Sequence, residues 1–183
     1  MFELSLYVLD ITMNSVRAGA RDIEVKLIED DEALTFSVVD NGCGMTAEQV
    51  ERLSNPFFTT RKTRKVGLGV PFLKMLAEMT GGEVAIVSTP ESDGDGHGTT
   101  ITARFIKNHL DFIPLGDIVS TVVTLIQGSP DVNFTFTHEM TGGKVELSCR
   151  ALRDMLGDEI SLAEPEILTW IEGYLREQYG QIA

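Results

Sequence analysis

The chain's 183 residues suffice for one domain, or for one domain with a small appendage, and at this size roughly 70% of the unfolded surface can be buried without disulfides. Its 43% hydrophobic and 23% charged residues are those of a water-soluble protein, no apolar run approaches the ~20 residues of a membrane span, and Met1-Phe2-Glu3-Leu4 lacks the basic start of a signal peptide, so a cytoplasmic chain with no membrane role is expected. A formal charge of −13 repels nucleic-acid phosphates and makes DNA or RNA an unfavourable partner.

Residues 3–20 form the first predicted helix. Leu6, Leu9, Met13, Val16 and Ala20 recur at spacings of three and four and make one apolar stripe. Asp10, Asn14 and Arg17 recur at the same spacings along its flank, where a cleft could open. Two strands follow: Ile23, Val25 and Leu27 alternate with polar residues, as do Leu34, Phe36 and Val38 beyond the acidic turn Glu29-Asp30-Asp31-Glu32. Asp40-Asn41-Gly42-Cys43-Gly44-Met45 then breaks the alternation, and Thr46 with Gln49 opens a short helix through Leu53 as a capping box. Residues 54–69 are irregular and polar. Arg61, Lys62, Arg64 and Lys65 fall there within five residues, a patch too short for a duplex and about right for one polyphosphate. A helix over 70–79 stops at Gly81-Gly82, and strands at 83–88 and 99–106 flank a turn-rich loop.

After Ile106 the character changes. Residues 107–117 read as a linker, with Pro114 and Gly116 as a rigid turn between packed units. Residues 118–183 read as a small α+β subdomain: an apolar helix at 118–127, two strands around Thr141-Gly142-Gly143, and a final helix holding Trp170 and Tyr174. Cys43 and Cys149 form no metal-binding or disulfide pattern. His138-Glu139 lies in a Val-x-Phe-x-Phe strand pattern, which makes a phosphoacceptor role for His138 unfavourable.

Four segments carry chemistry. In the stripe Asp10–Asn14–Arg17, a carboxylate can polarise water, an amide oxygen can hold Mg²⁺ and a guanidinium can neutralise phosphate oxygens; a solvated helix flank would look the same. Asp40-x-Gly42-x-Gly44 puts a carboxylate at a strand end, able to accept from an exocyclic amine such as that of adenine, beside glycines that admit close backbone approach; a plain turn is the ordinary alternative. The run from Asn55 to Gly69 leads a basic, hydroxyl-rich loop through paired glycines into a helix N-terminus, a setting that favours an anion. Gly96-His97-Gly98-Thr99 places a threonine hydroxyl at the start of a strand.

In this order the four segments resemble the ATP-binding motifs of the superfamily that includes gyrase, Hsp90, sensor histidine kinases and MutL. Asp10-Ile-Thr-Met-Asn14-Ser-Val-Arg17-Ala-Gly-Ala20 is similar to the first motif, closest to its MutL form, and Asp40-Asn-Gly-Cys-Gly44-Met45 to the second. Asn-Pro-Phe-Phe-Thr-Thr-Arg with Val-Gly-Leu-Gly-Val is similar to the third as nitrogen-sensing histidine kinases carry it, and Gly98-Thr99 to the last. The resemblance covers about residues 4–106 and implies an ATP-binding domain over 1–106 with a Bergerat-type fold: an α/β (α+β) two-layer sandwich with a mixed sheet, to which 118–183 adds a small α+β appendage.

The resemblance also implies roles. Asp40 would read the adenine amino group, with Gly42, Gly44, Met45 and Thr99 shaping that end. Asn14 would ligate Mg²⁺ and Arg17 would contact the phosphates of ATP. Thr60, Arg61 and Lys62 would lie in a lid, and Gly67, Leu68, Gly69 and Val70 would wrap the phosphates. Asp10 would be the catalytic carboxylate; it stands where the superfamily usually carries Glu, or in many sensor kinases Asn or His, and its shorter reach leaves hydrolysis open. The first motif begins nine residues after Met1, so no upstream phosphoacceptor hairpin is expected. Two functions follow: a stand-alone histidine-kinase-like catalytic domain that phosphorylates or regulates a partner protein docked through the C-terminal segment, or an ATP-dependent conformational switch and weak ATPase. His109 to Asp117 is in addition similar to a segment of small superfamily proteins found beside iron-hydrogenase and redox-enzyme subunits. The oligomeric state is left open.

Overall fold

A computed structural model describes residues 3–54, 69–157 and 159–182. The first helix, α1 (Leu4–Arg17), ends before the apolar periodicity does. Gly19 takes φ +76° and its N–H turns back to the Val16 carbonyl, which stops the helix while leaving Ala20 buried. Strands β1 (Asp22–Glu29) and β2 (Ala33–Asp40) follow. The turn between them is fixed by Asp30, whose Oδ1 accepts from the N–H groups of Glu32 and Ala33.

The capping box at α2 (Ala47–Ser54) forms as expected: Thr46 N–H donates to Gln49 Oε1 at 2.8 Å and Gln49 N–H donates to Thr46 Oγ1 at 3.3 Å. Then come α3 (Gly69–Met79), β3 (Glu83–Thr89), a short 3₁₀ turn at 91–93, and β4 (Gly98–Ile106). Beyond it lie α4 (Ile118–Gly128), β5 (Asn133–Met140), β6 (Gly143–Ser148), α5 (Cys149–Leu156) and α6 (Pro165–Ile182). Helix α5 is not foreseen by the sequence reading. It starts within the last strand's own momentum, since Ser148 ends β6 and also caps α5 by accepting from Ala151 N–H.

Among the described residues six strands form one mixed sheet in the order β3-β4-β2-β1-β5-β6. Every neighbouring pair is antiparallel except β1 and β5, which run parallel with Asp22 opposite Asn133 and Leu27 opposite His138. Alternation puts Ile23, Val25, Phe36, Val38, Ala103, Phe105, Phe134 and Phe136 on one face, all buried. Against that face pack the apolar sides of α1, α3, α4 and α6. The architecture is therefore the α/β two-layer sandwich with a mixed sheet that the sequence leads one to expect.

The stretch 107–117 joins the two parts of the chain without dividing sheet or core. It is docked on α1: the carbonyls of Pro114 and Leu115 accept from the N–H groups of Leu4 and Ser5 at 3.0 and 2.8 Å, two of the donors that a helix start leaves without partners. Asp117 caps α4 by accepting from Ser120 N–H, and that bond, followed by those from the Ser120 hydroxyl and Arg176, holds its carboxyl down to about 2. Replacing Asp117→Ala is expected to lower stability by about 1 kcal/mol, the usual worth of an N-cap, measured by urea unfolding at pH 7. The loss should shrink as pH falls through about 4 toward 2, because a carboxylate with a depressed folded pKa stabilises above its unfolded pKa and stops doing so on protonation.

His138 points inward from β5 and is 1% exposed. Its Nδ1 is 2.8 Å from the Tyr179 hydroxyl on α6, and its Nε2 is 3.3 Å from Glu29, whose other oxygen pairs with Lys107. Burial pushes its pKa down and keeps the ring neutral, as fits a core histidine.

Candidate functional site

Asp40 is the last residue of β2, and the β2–β4 register sets it beside Thr99. Its carboxylate is held from three sides: Oδ1 accepts from Gly42 N–H at 2.9 Å and Thr99 N–H at 3.3 Å, and Oδ2 accepts from the Ser15 hydroxyl at 2.5 Å. A carboxylate offers about four acceptor positions, so capacity remains for one more donor. The group is half-buried and fixed in orientation before any ligand arrives.

The glycines here are required by contact. A Cβ on Gly42 would crowd Ala18 and the Asp40 carboxylate, where the chain passes close enough for Cys43 N–H to donate to the Ala18 carbonyl at 3.0 Å. Gly44 takes φ +65°, and a Cβ there would overlap the Thr89 carbonyl. The turn is thus clamped between the end of α1 and the loop after β3.

Ser88 ties this clamp together. Its hydroxyl donates to the Gly98 carbonyl at 3.0 Å, so it must accept from Met45 N–H and from the Thr99 hydroxyl, each at 2.8 Å. Thr99 has therefore spent its hydrogen, and its oxygen faces any ligand only as an acceptor. His97 adds a further tie: the Gly42 carbonyl can only accept, so Nδ1, 2.6 Å away, carries the proton.

A second cluster lies further along α1. Asp10, Asn14 and Arg17 fall on one flank, and Arg17 Nη1 donates to Asn14 Oδ1 at 3.0 Å. The Asp10 carboxylate lies against Gly69, the first residue of α3; a Cβ at that position would strike its Oδ2. Among the described residues α3 begins at Gly69, so its positive dipole end lies beside Asp10 on the polar stripe of α1. Val70, next in the chain, is buried and anchors that helix start in the core.

The structure sets the expected residues it describes along one helix: Asp40, Gly42, Gly44, Met45 and Thr99 near its C-terminal end, Asp10 with Gly69 near its middle, and Asn14 and Arg17 on the flank that runs from Asp10 to that end. Thr60, Arg61, Lys62, Gly67 and Leu68 lie outside the described residues. The sequence reading missed three contributors: Ser15, Ser88 and the tie made by His97. Ser15 carried a signal, since it falls on the buried face four residues after Ile11 and needs an acceptor there. Ser88 also carried one, being the polar residue at the inward position that continues Val84 and Ile86.

The arrangement fits a purine nucleotide. A carboxylate with an acceptor position to spare can take an exocyclic amine, and along the same helix an amide oxygen, a guanidinium and the first described turn of α3 are groups of the kind that suit phosphates. Among the described residues no cluster of three His, Cys, Asp or Glu side chains could hold a metal ion.

The family described as histidine kinase-, DNA gyrase B-, and HSP90-like ATPase matches residues 3–109. The sensor histidine kinase ZraS of Escherichia coli K12 is 30% identical over 101 residues, which is 54% of this chain and 20% of that protein. The ZraS of Klebsiella oxytoca is 36% identical over 90 residues, 48% of this chain and 19% of that one. The chain thus spans about a fifth of the curated relatives it matches. Among solved structures, the Aquifex aeolicus MutL ATPase domain complexed with ADP aligns with a TM-score of 0.54 at 17% identity, covering 83% of this chain and 66% of that one. The N-terminal domain of a DNA repair protein aligns at 0.53 with 20% identity, covering 81% and 53%. These two likenesses are of fold.

Proposed function

This chain belongs to the histidine kinase-, DNA gyrase B- and HSP90-like ATPases, and from that premise we propose that it binds ATP with Mg²⁺ and phosphorylates a partner protein in the manner of a histidine-kinase catalytic domain. The observation that carries the nucleotide reading is the Asp40 carboxylate, held by Ser15, Gly42 and Thr99 with an acceptor position to spare. ATP, when bound, supplies the transferable phosphoryl group. The chain's own part is to seat the base at Asp40, to set Arg17 and the α3 N-terminus against the phosphates, and to offer Asn14 Oδ1 to the metal. That oxygen accepts from Arg17 and keeps a second lone pair. In this reading Asp10 orients or deprotonates the acceptor.

The kinase reading is supported by relatives that are sensor histidine kinases across the matched segment. A specific observation favours the second reading, an ATP-dependent switch. The segment leading to the C-terminal half caps the N-terminus of α1, the helix whose flank carries Asp10, Asn14 and Arg17. A shift of α1 on nucleotide binding would therefore reach α4 and α6 directly.

Incubation with γ-labelled ATP, alone and with candidate partner proteins, separates the two. Label on a partner supports the kinase. Release of phosphate without labelled protein supports the switch, and binding with neither outcome overturns both enzymatic readings. Where turnover is seen, Asp10→Asn should slow it about 10²–10⁴-fold, the usual contribution of a positioned base. Unchanged turnover would remove Asp10 from the mechanism.

A further inference from the structure

The C-terminal half carries a groove apart from the residues proposed for the nucleotide site, with the core residues Leu147 and Leu152 in its lining. Its volume is about 450 Å³, within the range of ligand and anchor pockets, and its walls are α5 and α6 with β6 at the base. Ala151, Leu152 and Met155 line one side, Trp170 and Tyr174 the other, and Leu147 the floor. Met155 is 73% exposed and Trp170 50%, while the Trp170 and Tyr174 rings stack at 5.1 Å and 8°. Holding a methionine and two aromatics in water is unfavourable unless another surface covers them at some stage.

Charge around the groove is one-sided. All four cations between 118 and 182 are engaged: Lys144 with Glu146, Arg150 with Asp22, Arg153 with Asn133 and the carbonyls of Pro130 and Val132, and Arg176 with Asp117 and Glu172. The exposed Glu166 and Glu177 extend the Trp170–Tyr174 stripe of α6 at helical spacing. Asp154 is the chain neighbour of Met155 and the exposed Glu159 follows α5, and these carboxylates have no ion-pair partner among the described residues. The edge of β6 is not free to add a strand at its centre. Gln178 on α6 accepts from Glu146 N–H at 3.0 Å and donates to its carbonyl at 3.1 Å, taking both positions.

We propose that the α5–α6 groove docks a helix of a partner protein that is apolar on one face and rich in lysine or arginine on its flanks. This rests on the reading that the chain acts on a protein partner, and it names that partner's chemistry. Apolar anchors fill the space between Met155 and Leu147, and cationic side chains meet the carboxylates and the aromatic faces of Trp170 and Tyr174. A second copy of this chain would bring the same negative charge, a formal −13, to the same place.

Trp170 is the chain's single tryptophan, so its emission reports the groove directly. The test titrates the full chain with three synthetic peptides of about 18 residues, long enough to hold a helix when bound. One is a leucine/lysine amphipath, one carries glutamate in place of each lysine, and one carries serine in place of each leucine. The leucine/lysine peptide should shift Trp170 emission and bind at least about tenfold more tightly than either control. Met155→Glu, at an exposed position, should weaken that binding about tenfold, whereas attraction by charge alone would strengthen it. Asp40→Asn should leave peptide affinity unchanged while removing ATP affinity, so failure here and failure of the nucleotide reading are told apart. Equal binding of the leucine- and serine-containing peptides, tight binding of the glutamate peptide, or a Met155→Glu variant that binds as well as the parent would overturn the proposal. So would Trp170 emission that changes with protein concentration alone as a dimer forms.

Discussion

Asp40→Asn should raise the dissociation constant for ATP by at least about 100-fold, a loss of ~2.7 kcal/mol. The carboxylate accepts only, which suits an exocyclic amine that only donates. An asparagine in the same place brings an NH₂ group. Its single oxygen can satisfy the Gly42 and Thr99 N–H groups or the incoming amine, and the NH₂ then faces either Ser15 or the ligand. A hydrogen bond to a charged group is worth about 1.5–3 kcal/mol, and an opposed pair of donors adds to its loss. Isothermal calorimetry measures the change, and circular dichroism checks that β2 and β4 still pair. A constant within about threefold of the parent's would show that the nucleotide is read elsewhere.

The second large effect concerns the core. Phe136 is 1% exposed at the middle of β5, opposite Val25 on β1 and Leu147 on β6. Phe136→Ala should cost about 3–5 kcal/mol, the range for removing a buried aromatic ring and leaving a cavity. Because β5 shares its sheet and core with β1, the loss should fall on the whole chain. Denaturant unfolding followed by Trp170 fluorescence and by far-ultraviolet circular dichroism should show coincident transitions, both moved to lower midpoint. If the fluorescence transition moved alone, the residues after 117 would be a unit that unfolds by itself.

Much of this was legible in the sequence, and what was not has physical causes. That Asp40, Gly42 and Thr99 meet was suggested only by the order of the four motifs, since Asp-x-Gly-x-Gly taken alone is equally a plain turn. The capping box at Thr46 and Gln49 was readable because it is wholly local. Ser88 was passed over because a serine continuing an alternation looks like a frayed strand end; its role needs Met45, Gly98 and Thr99, which the register brings to it. Helix α5 was missed because it follows β6 without a break, Ser148 serving both elements. The docking of residues 107–117 on α1 could not be read from composition, since backbone carbonyls of Pro114 and Leu115 carry no side-chain signal.

The pairing of β1 with β5 was the hardest feature to foresee. The alternation of Ile23, Val25 and Leu27 says that β1 has a buried face and nothing about which strands flank it. Asp22 meets Asn133 across 111 residues, and no local pattern encodes such a contact.

That pairing also bears on how the chain becomes folded. A parallel contact of such long range closes late, because the loop entropy must be met before the contact gives anything back. Until β5 arrives, β1 has a partner on one side only and presents a row of unsatisfied N–H and C=O groups on the other. A fragment cut to residues 3–109, the segment the family matches, would keep every residue proposed for the nucleotide site and carry that bare edge permanently. Such a fragment is therefore set up to stack edge to edge with its own copies, and the residues from 133 to 140 serve the nucleotide-binding half as a built-in edge cover.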